Sequence, residues 1–260
     1  FLLAVIKVIK IIRENERLSE SLNEKNEELS KVSATKDRFF EIIAHDLESL
    51  MGGSVSFLEY LKENMDSKSK EEIVIIVDMV HNQEQRSYKL MENLLMWART
   101  QSGEMSFKPE KIRLYDLVTQ NIELLTEMAR KKELQIVSEI DDSIQVLVDK
   151  DMISTVIRNL ITNAIKYSRP NGIIRVFSSS NSLAQLTVQD FGIGMDQNTL
   201  QSLFHVDKTV SLQGTAGEQG TGLGLAICLD FVKRHGGKIW AESRINEGTN
   251  FCFTIPINMF

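Results

Sequence analysis

The sequence predicts an all-α coiled coil and four-helix bundle that dimerises, followed by an α/β sandwich in which one sheet is covered by helices. Three observations predict it. An apolar stripe runs from Ala4 to Ile43 on alternating three- and four-residue steps, no proline occurs before Pro109, and helical and strand-like segments alternate beyond Ser102-Gly103. At 260 residues the chain can bury sizeable cores without disulfide or metal staples. Its 42% hydrophobic and 25% charged residues, with 14 Gly and 3 Pro, are those of a globular, helix-rich chain.

The stripe comprises Ala4, Val8, Ile11, Leu18, Leu22, Leu29, Val32, Phe39 and Ile43, with Asn15, Lys25 and Lys36 filling it where it turns polar. Nothing stops this helix before the polar stretch Glu63 to Lys70, which makes it roughly 95 Å long. A lone helix of that length is unstable, so the stripe needs a partner, and a second copy of the chain is the simplest one. Ser69 followed by Glu72 reads as a capping box for a second helix. Its period is carried by Ile73, Ile76, Val77, Val80, Leu90, Met91, Leu94, Leu95 and Ala98. Two helices in each of two chains make a four-helix bundle.

Beyond the Ser102-Gly103 linker the pattern predicts a strand in MSFKPEKIRL, a helix in LYDLVTQNIELLTEMARKK, and strands LQIVSEI and IQVLVD. It continues with a helix over Asp151 to Tyr167, strands GIIRVFSS and AQLTVQD, and a short helix near Gln197 to Leu203. A glycine-rich loop, a helix over Gly222 to His235 and strands KIWAES and TNFCFTIP complete it. The chain opens FLLAVIKVIKII without an initiator Met and is expected to be a fragment. The run, interrupted by Lys7 and Lys10, is too short to be a complete span and no cleavage site follows, so it reads as the inner end of a truncated membrane span or the start of the coiled coil.

A net charge of −6 argues against a nucleic-acid partner, which phosphate neutralisation would require to meet a basic surface. Cys228 and Cys252, the only two cysteines, lack metal-ligand spacing and suit a reducing compartment without a structural metal.

Three clusters carry chemistry. On the helix VIRNLITNAIKYS, Asn159, Asn163 and Lys166 share one face, and Ile153, Ile157, Leu160 and Ala164 another. An asparagine carbonyl is a hard oxygen that Mg²⁺ accepts beside phosphate oxygens, although this face read alone also fits plain solvation. In LTVQDFGIGM, Asp190 falls on the strand face of Leu186 and Val188, where a carboxylate needs a hydrogen-bonding partner such as an adenine amino group. Gly192 and Gly194 would let backbone approach that ligand, and an Asx turn is the alternative reading of the aspartate. In GTAGEQGTGLGLAI, Gly214, Gly217, Gly220, Gly222 and Gly224 lead into a helix whose amide end suits phosphate. Neither a Walker A loop nor a dinucleotide fingerprint is present.

In this order and spacing the clusters resemble the N, G1 and G2 boxes of the ATP-binding domain of sensor histidine kinases. Upstream, KDRFFEIIAHDLESL resembles the H box that carries the phospho-accepting histidine, and NLLMWARTQSG the end of the second bundle helix. The resemblance implies a GHKL ATPase fold with a mixed sheet, shared more distantly with DNA gyrase, mismatch-repair ATPases and a heat-shock chaperone. It implies a signal helix over 1–35, a dimerisation and phosphotransfer hairpin over 36–102 and a catalytic ATP domain over 103–260. His45, spaced away from the buried stripe, would be the phospho-acceptor, Asp46 its hydrogen-bonding base, and Ser49 the residue facing a dephosphorylating water. Asn163 would hold Mg²⁺, Asn159, Lys166 and Tyr167 would line the phosphates, and Asp190 with Gly192, Gly194 and Thr249 would receive adenine. Phe204 resembles the F box and residues 205–219 the lid, with Lys208 near the γ-phosphate. Gly220, Thr221, Gly222, Leu223 and Gly224 would contact the triphosphate.

The implied activity is ATP-dependent phosphorylation of His45 followed by transfer to an aspartate of a response regulator. The chain would be the cytoplasmic portion of an inner-membrane sensor, homodimeric, with its sensor domain upstream. Two departures from the family pattern stand out. Glu48, Ser49 and Leu50 stand where many members carry a basic residue, then Asn, Thr or Ser, then Pro, and His205 replaces a lid arginine, putting a titratable imidazole where a guanidinium is usual. They keep open a catalytically impaired ATP-binding scaffold, and a GHKL-type ATPase is the other alternative.

Overall fold

The computed structural model describes residues 2–101, 105–180, 182–204, 214–216, 218 and 223–257, with side chains of the first helix described only in part. The chain forms two compact units, 1–83 and 84–260. Helix α1 (Leu2–Asn64) is followed by a single 3₁₀ turn (Met65–Ser67) and helix α2 (Lys70–Gln101), with the reversal inside the expected polar stretch. The Ser69 capping box is formed: Glu72 N–H donates to Ser69 Oγ at 3.2 Å and Ser69 N–H to the Glu72 carboxylate at 2.9 Å. A cap of this kind stabilises a helix start by about 1 kcal/mol.

Within the first unit Gly53 lets α2 come close, since a Cβ there would collide with the Gln83 side chain. The described α1 stripe residues Leu18 and Leu22 are exposed in the single chain. The apolar period of α2 divides. Ile73, Ile76, Val80, Leu90 and Leu94 are at least half-buried, whereas Val77, Met91, Leu95 and Ala98 are exposed, because Ser87 and Asn93 take the buried positions between them. Among the described residues no helix is long and apolar enough to cross a membrane.

The second unit takes in the end of α2 from residue 84 onward. Bonds hold it there. The Arg234 guanidinium donates to the Thr100 carbonyl, Met105 N–H donates to the Arg99 carbonyl at 3.3 Å, and Met96 and Met105 pack on the core.

The rest of this unit is strand β1 (Glu110–Arg113), helix α3 (Leu114–Lys131), strands β2 (Gln135–Glu139) and β3 (Gln145–Val148), helix α4 (Lys150–Tyr167), strands β4 (Ile173–Ser180) and β5 (Leu183–Asp190), helices α5 (Gln197–Ser202) and α6 (Gly224–Arg234), and strands β6 (Ile239–Arg244) and β7 (Gly248–Pro256). Five strands form a mixed sheet in the order β2-β4-β5-β7-β6, parallel only between β2 and β4. The expectation of one sheet needs correction, because β1 and β3 pair antiparallel as a separate ribbon. Packing follows periodicity. Val156, Ile157, Leu160, Ile161 and Ala164 of α4 are buried in one core with Ile174, Val176, Leu186, Val188, Phe231 and Phe253.

His235, at the end of α6, fastens this core to the linker. Its Nε2 accepts from Asp149 N–H at 3.0 Å, its Nδ1 donates to the Phe231 carbonyl at 2.7 Å, and Phe107 packs edge-on against the ring at 4.9 Å. Asp149 in turn caps α4 by accepting from Met152 N–H and holds Lys108 N–H. The ring is therefore neutral, and burial lowers its pKa, with the Phe231 carbonyl and Asp149 opposing. The unfolded chain protonates near the ordinary value of 6.5 and the folded chain only below it, so this contribution to stability is full above 6.5 and falls as pH drops through it. Urea unfolding at pH 7.5 and 5.5 should show a smaller loss of stability on acidification in His235→Gln than in the parent chain. An equal loss in both would assign the effect elsewhere.

Candidate functional site

Helix α4 brings the expected polar residues together. Asn159 and Asn163 are half-buried on it, one turn apart, and Lys166 and Tyr167 end it. Asn159 Nδ2 donates to the Gly224 carbonyl at 3.3 Å and lies 3.6 Å from Cys228 Sγ, which ties α4 to the start of α6. For the Asn163 amide the described residues provide no hydrogen-bond partner. It is a hard oxygen donor left available, which fits a single protein ligand to Mg²⁺ whose other ligands are phosphate and water. Among the described residues no three His, Cys, Asp or Glu side chains gather to hold a metal by themselves.

Lys166 is buried, and its ammonium donates to the Tyr167 hydroxyl at 2.9 Å while lying 4.6 Å from the ring centre. Burial lowers the Lys166 pKa, Glu218 opposes, and Arg86 and Lys132 add to the lowering. Burial pushes the Tyr167 phenol up to about 12. A buried ammonium at the end of α4 is suited to pair with a phosphate oxygen.

Asp190 ends β5 and is 2% exposed. Its Oδ1 accepts from Gly192 N–H at 2.9 Å, and Thr249 N–H also stabilises the carboxylate. Burial outweighs these bonds and pushes the carboxyl up to about 6. The Asx contact and the buried carboxylate are thus both present. Thr249 is buried directly across the ladder from Asp190, with its hydroxyl 3.0 Å from that of Ser243.

On the side where a Cβ would stand, Gly192 and Gly194 are backed by protein backbone. A Cβ on Gly192 would strike the Tyr167 carbonyl, and one on Gly194, where φ is +63°, the Arg244 carbonyl. Their smallness lets the corner after β5 pack on α4 and β6. The Leu223 side chain is buried, which leaves its backbone for contact with a phosphate. Gly224 opens α6 beside Asn159. Phe204 follows α5 and packs against the core.

His205, Lys208, Gly220, Thr221 and Gly222 lie outside the described residues. On α1, the backbone at His45 and Asp46 is helical, but their side chains are outside the described set, so the expected exposure of His45 is too. Neighbouring Ala44, Glu48 and Ser49 are exposed and Leu47 is half-buried.

Sequence reasoning missed two residues that shape the site. Lys132 and Glu218 form an ion pair of 2.8 Å at the end of α4. Glycine spacing marked the loop but gave no sign of a charged anchor within it, and a Lys at a helix end reads as solvated.

The family described as histidine kinase-, DNA gyrase B- and HSP90-like ATPase matches residues 148–259. The adaptive-response sensory kinase SasA of Gloeothece citriformis is 27% identical over 251 residues, covering 93% of this chain and 63% of SasA. The chain thus spans a little over six tenths of that relative's length. The solved catalytic domain of histidine kinase ThkA is 30% identical with a TM-score of 0.50, over 58% of this chain and 96% of that one. A structure of ThkA with the response regulator TrrA is 23% identical with a TM-score of 0.69, over 83% of this chain and 60% of that one. At that identity the second likeness is one of fold.

Proposed function

The chain belongs to the histidine kinase family, and from that premise we propose that it is the core of a sensor kinase that binds ATP with Mg²⁺, phosphorylates His45 and passes the phosphoryl group to a receiver aspartate. The observation that carries the reading is the buried Asp190 carboxylate, bonded to backbone N–H groups and raised to about 6, within the stretch matched to the ATPase family. The adenine amino group donates to Asp190. Lys166 and the amide end of α6 bind phosphate oxygens, and Asn163 together with the phosphates would hold Mg²⁺, which would offset charge on the triphosphate.

In the transfer, the lone pair of a neutral His45 ring nitrogen attacks the γ-phosphorus in line, forming the N–P bond as the bond to the β,γ-bridging oxygen breaks and ADP departs. The ring becomes an imidazolium, and the Asp46 carboxylate accepts a hydrogen bond from the opposite ring N–H, stabilising that charge and acting as the base for its proton. A receiver carboxylate then displaces the imidazole. We assign residues 1–35 to a signal helix, 36–102 to the hairpin and 103–260 to catalysis. A homodimer is supported by exposed apolar side chains on both helical segments, Leu18 and Leu22 of the signal helix and Val55, Leu58, Val77 and Leu95 of the hairpin. The receiver partner is supported by the TrrA complex of ThkA. In the cell the chain would be the cytoplasmic part of a membrane sensor.

Incubation with γ-labelled ATP and Mg²⁺ should give label on the protein that is labile to acid and stable to base. Nucleotide binding with no label would favour the scaffold reading, and steady phosphate release without labelled protein the ATPase one.

A further inference from the structure

The Lys132 ammonium is one tenth exposed and spends all three of its hydrogens, on the Ile165 carbonyl at 2.9 Å, the Lys166 carbonyl at 2.7 Å and Glu218 Oε1 at 2.8 Å. The first two are carbonyls of the last turn of α4, where partial negative charge gathers, and the third belongs to the glycine-rich segment. The described residues of that segment are bonded to one another. Gly214 N–H donates to the Glu218 carbonyl at 2.6 Å, and Ala216 N–H donates to Glu218 Oε2 at 2.8 Å. Thr215 joins them to α4, its N–H donating to the Lys166 carbonyl at 3.1 Å and its hydroxyl to the Ser168 carbonyl at 2.6 Å. Six residues after Glu218, the Gly224 carbonyl is held by Asn159, two turns earlier on the same helix. The stretch that leads into α6 is thereby fastened at both ends to α4, the helix that carries Asn163 and Lys166.

We propose that Lys132 is a positioning residue for the nucleotide: its bridge from α4 to Glu218 fixes the entry of the glycine-rich stretch and neutralises a carboxylate that would otherwise face the triphosphate. The proposal rests on the nucleotide-binding reading above. Two physical effects act in the same direction. Fixing the ends of a chain segment before binding lowers the conformational entropy lost when ligand orders it. An unpaired carboxylate close to a polyphosphate repels it, and partial burial weakens screening. Burial works against ionisation of Glu218, but the bonds from Lys132 and Ala216 outweigh it and hold its pKa below the ordinary value, so Glu218 is a carboxylate at neutral pH.

The test is calorimetric titration of the full chain with Mg-ATP, together with initial labelling rates over a range of ATP concentrations. Lys132→Met should weaken Mg-ATP binding and raise KM by about tenfold, with the rate at saturating ATP within about twofold of the parent. Lys132→Arg, which keeps the charge, should bind nearly as the parent does. Glu218→Gln lies outside the core and guards against misfolding of the Met variant. Combined with Lys132→Met, it should bind no more weakly than Lys132→Met alone, because the repelling charge has gone. A folded Lys132→Met chain of lower Tm and unchanged Mg-ATP affinity would overturn the proposal and leave Lys132 a helix cap. Strictly additive effects of the two substitutions would overturn it as well. Failure of the parent chain to bind Mg-ATP would instead overturn the nucleotide-binding reading on which it rests.

Discussion

His45→Gln should lose phosphoryl label from γ-labelled ATP by more than about a hundredfold while binding Mg-ATP as the parent does. Glutamine has no nitrogen lone pair to offer phosphorus, so the variant removes the reacting atom and leaves the nucleotide site untouched. The other described histidines make the comparison sharp. His235 cannot substitute, because Asp149 N–H occupies its Nε2 lone pair and its Nδ1 donates to the Phe231 carbonyl. His81 is exposed on α2 and sterically free to react, so His81→Gln is the control that should keep its label. Label that persisted in His45→Gln and vanished in His81→Gln would move the phospho-acceptor to the second helix. The linkage carries its own check, since a phosphoramidate is acid-labile whereas a serine ester is stable to acid.

The parts legible in the sequence are those that periodicity or local bonding determines. The reversal between α1 and α2 and the Ser69 cap could be read because a capping box involves residues three apart. The α4 face and the burial of Asp190 could be read from helical and strand periods. What escaped was set by contacts distant in sequence. Gly192 and Gly194 announce a close approach but not to what, and the answer is the carbonyls of Tyr167 and Arg244. Leu223 stands among glycines yet belongs to the core. Lys132 meets Glu218 across 86 residues, a separation at which neither composition nor spacing carries information. The ribbon of β1 and β3 has the same origin, because strand patterns give faces but not partners.

Asp190→Asn should weaken ATP binding by roughly a hundredfold and erase the preference for ATP over GTP, on the scale of a lost hydrogen bond to a charged group. The direction follows from the donors around the carboxyl. Gly192 N–H and Thr249 N–H both point at Asp190 and need an acceptor, so the Asn carbonyl must turn toward them. Its NH₂ is then left facing the nucleobase, where adenine also presents an amino group and guanine presents a carbonyl. Two donors meet in the first case and a donor meets an acceptor in the second. Misfolding is a poor rival explanation, because burial already disfavours the Asp190 charge and its removal should leave the thermal stability of the nucleotide-free chain at pH 7.5 undiminished. The same carboxyl gives a pH signature. With its folded pKa raised to about 6, acidification below 6 protonates Asp190 in the free protein, whereas the adenine amino group favours the carboxylate. ATP affinity in the parent chain should therefore fall as pH drops through 6, and titrations at pH 7.5, 6.0 and 5.5 should show no such step in Asp190→Asn. An identical step in both would place the titrating group elsewhere on the nucleotide site, whereas its disappearance together with the loss of base selectivity would tie both to one buried carboxyl at the end of β5.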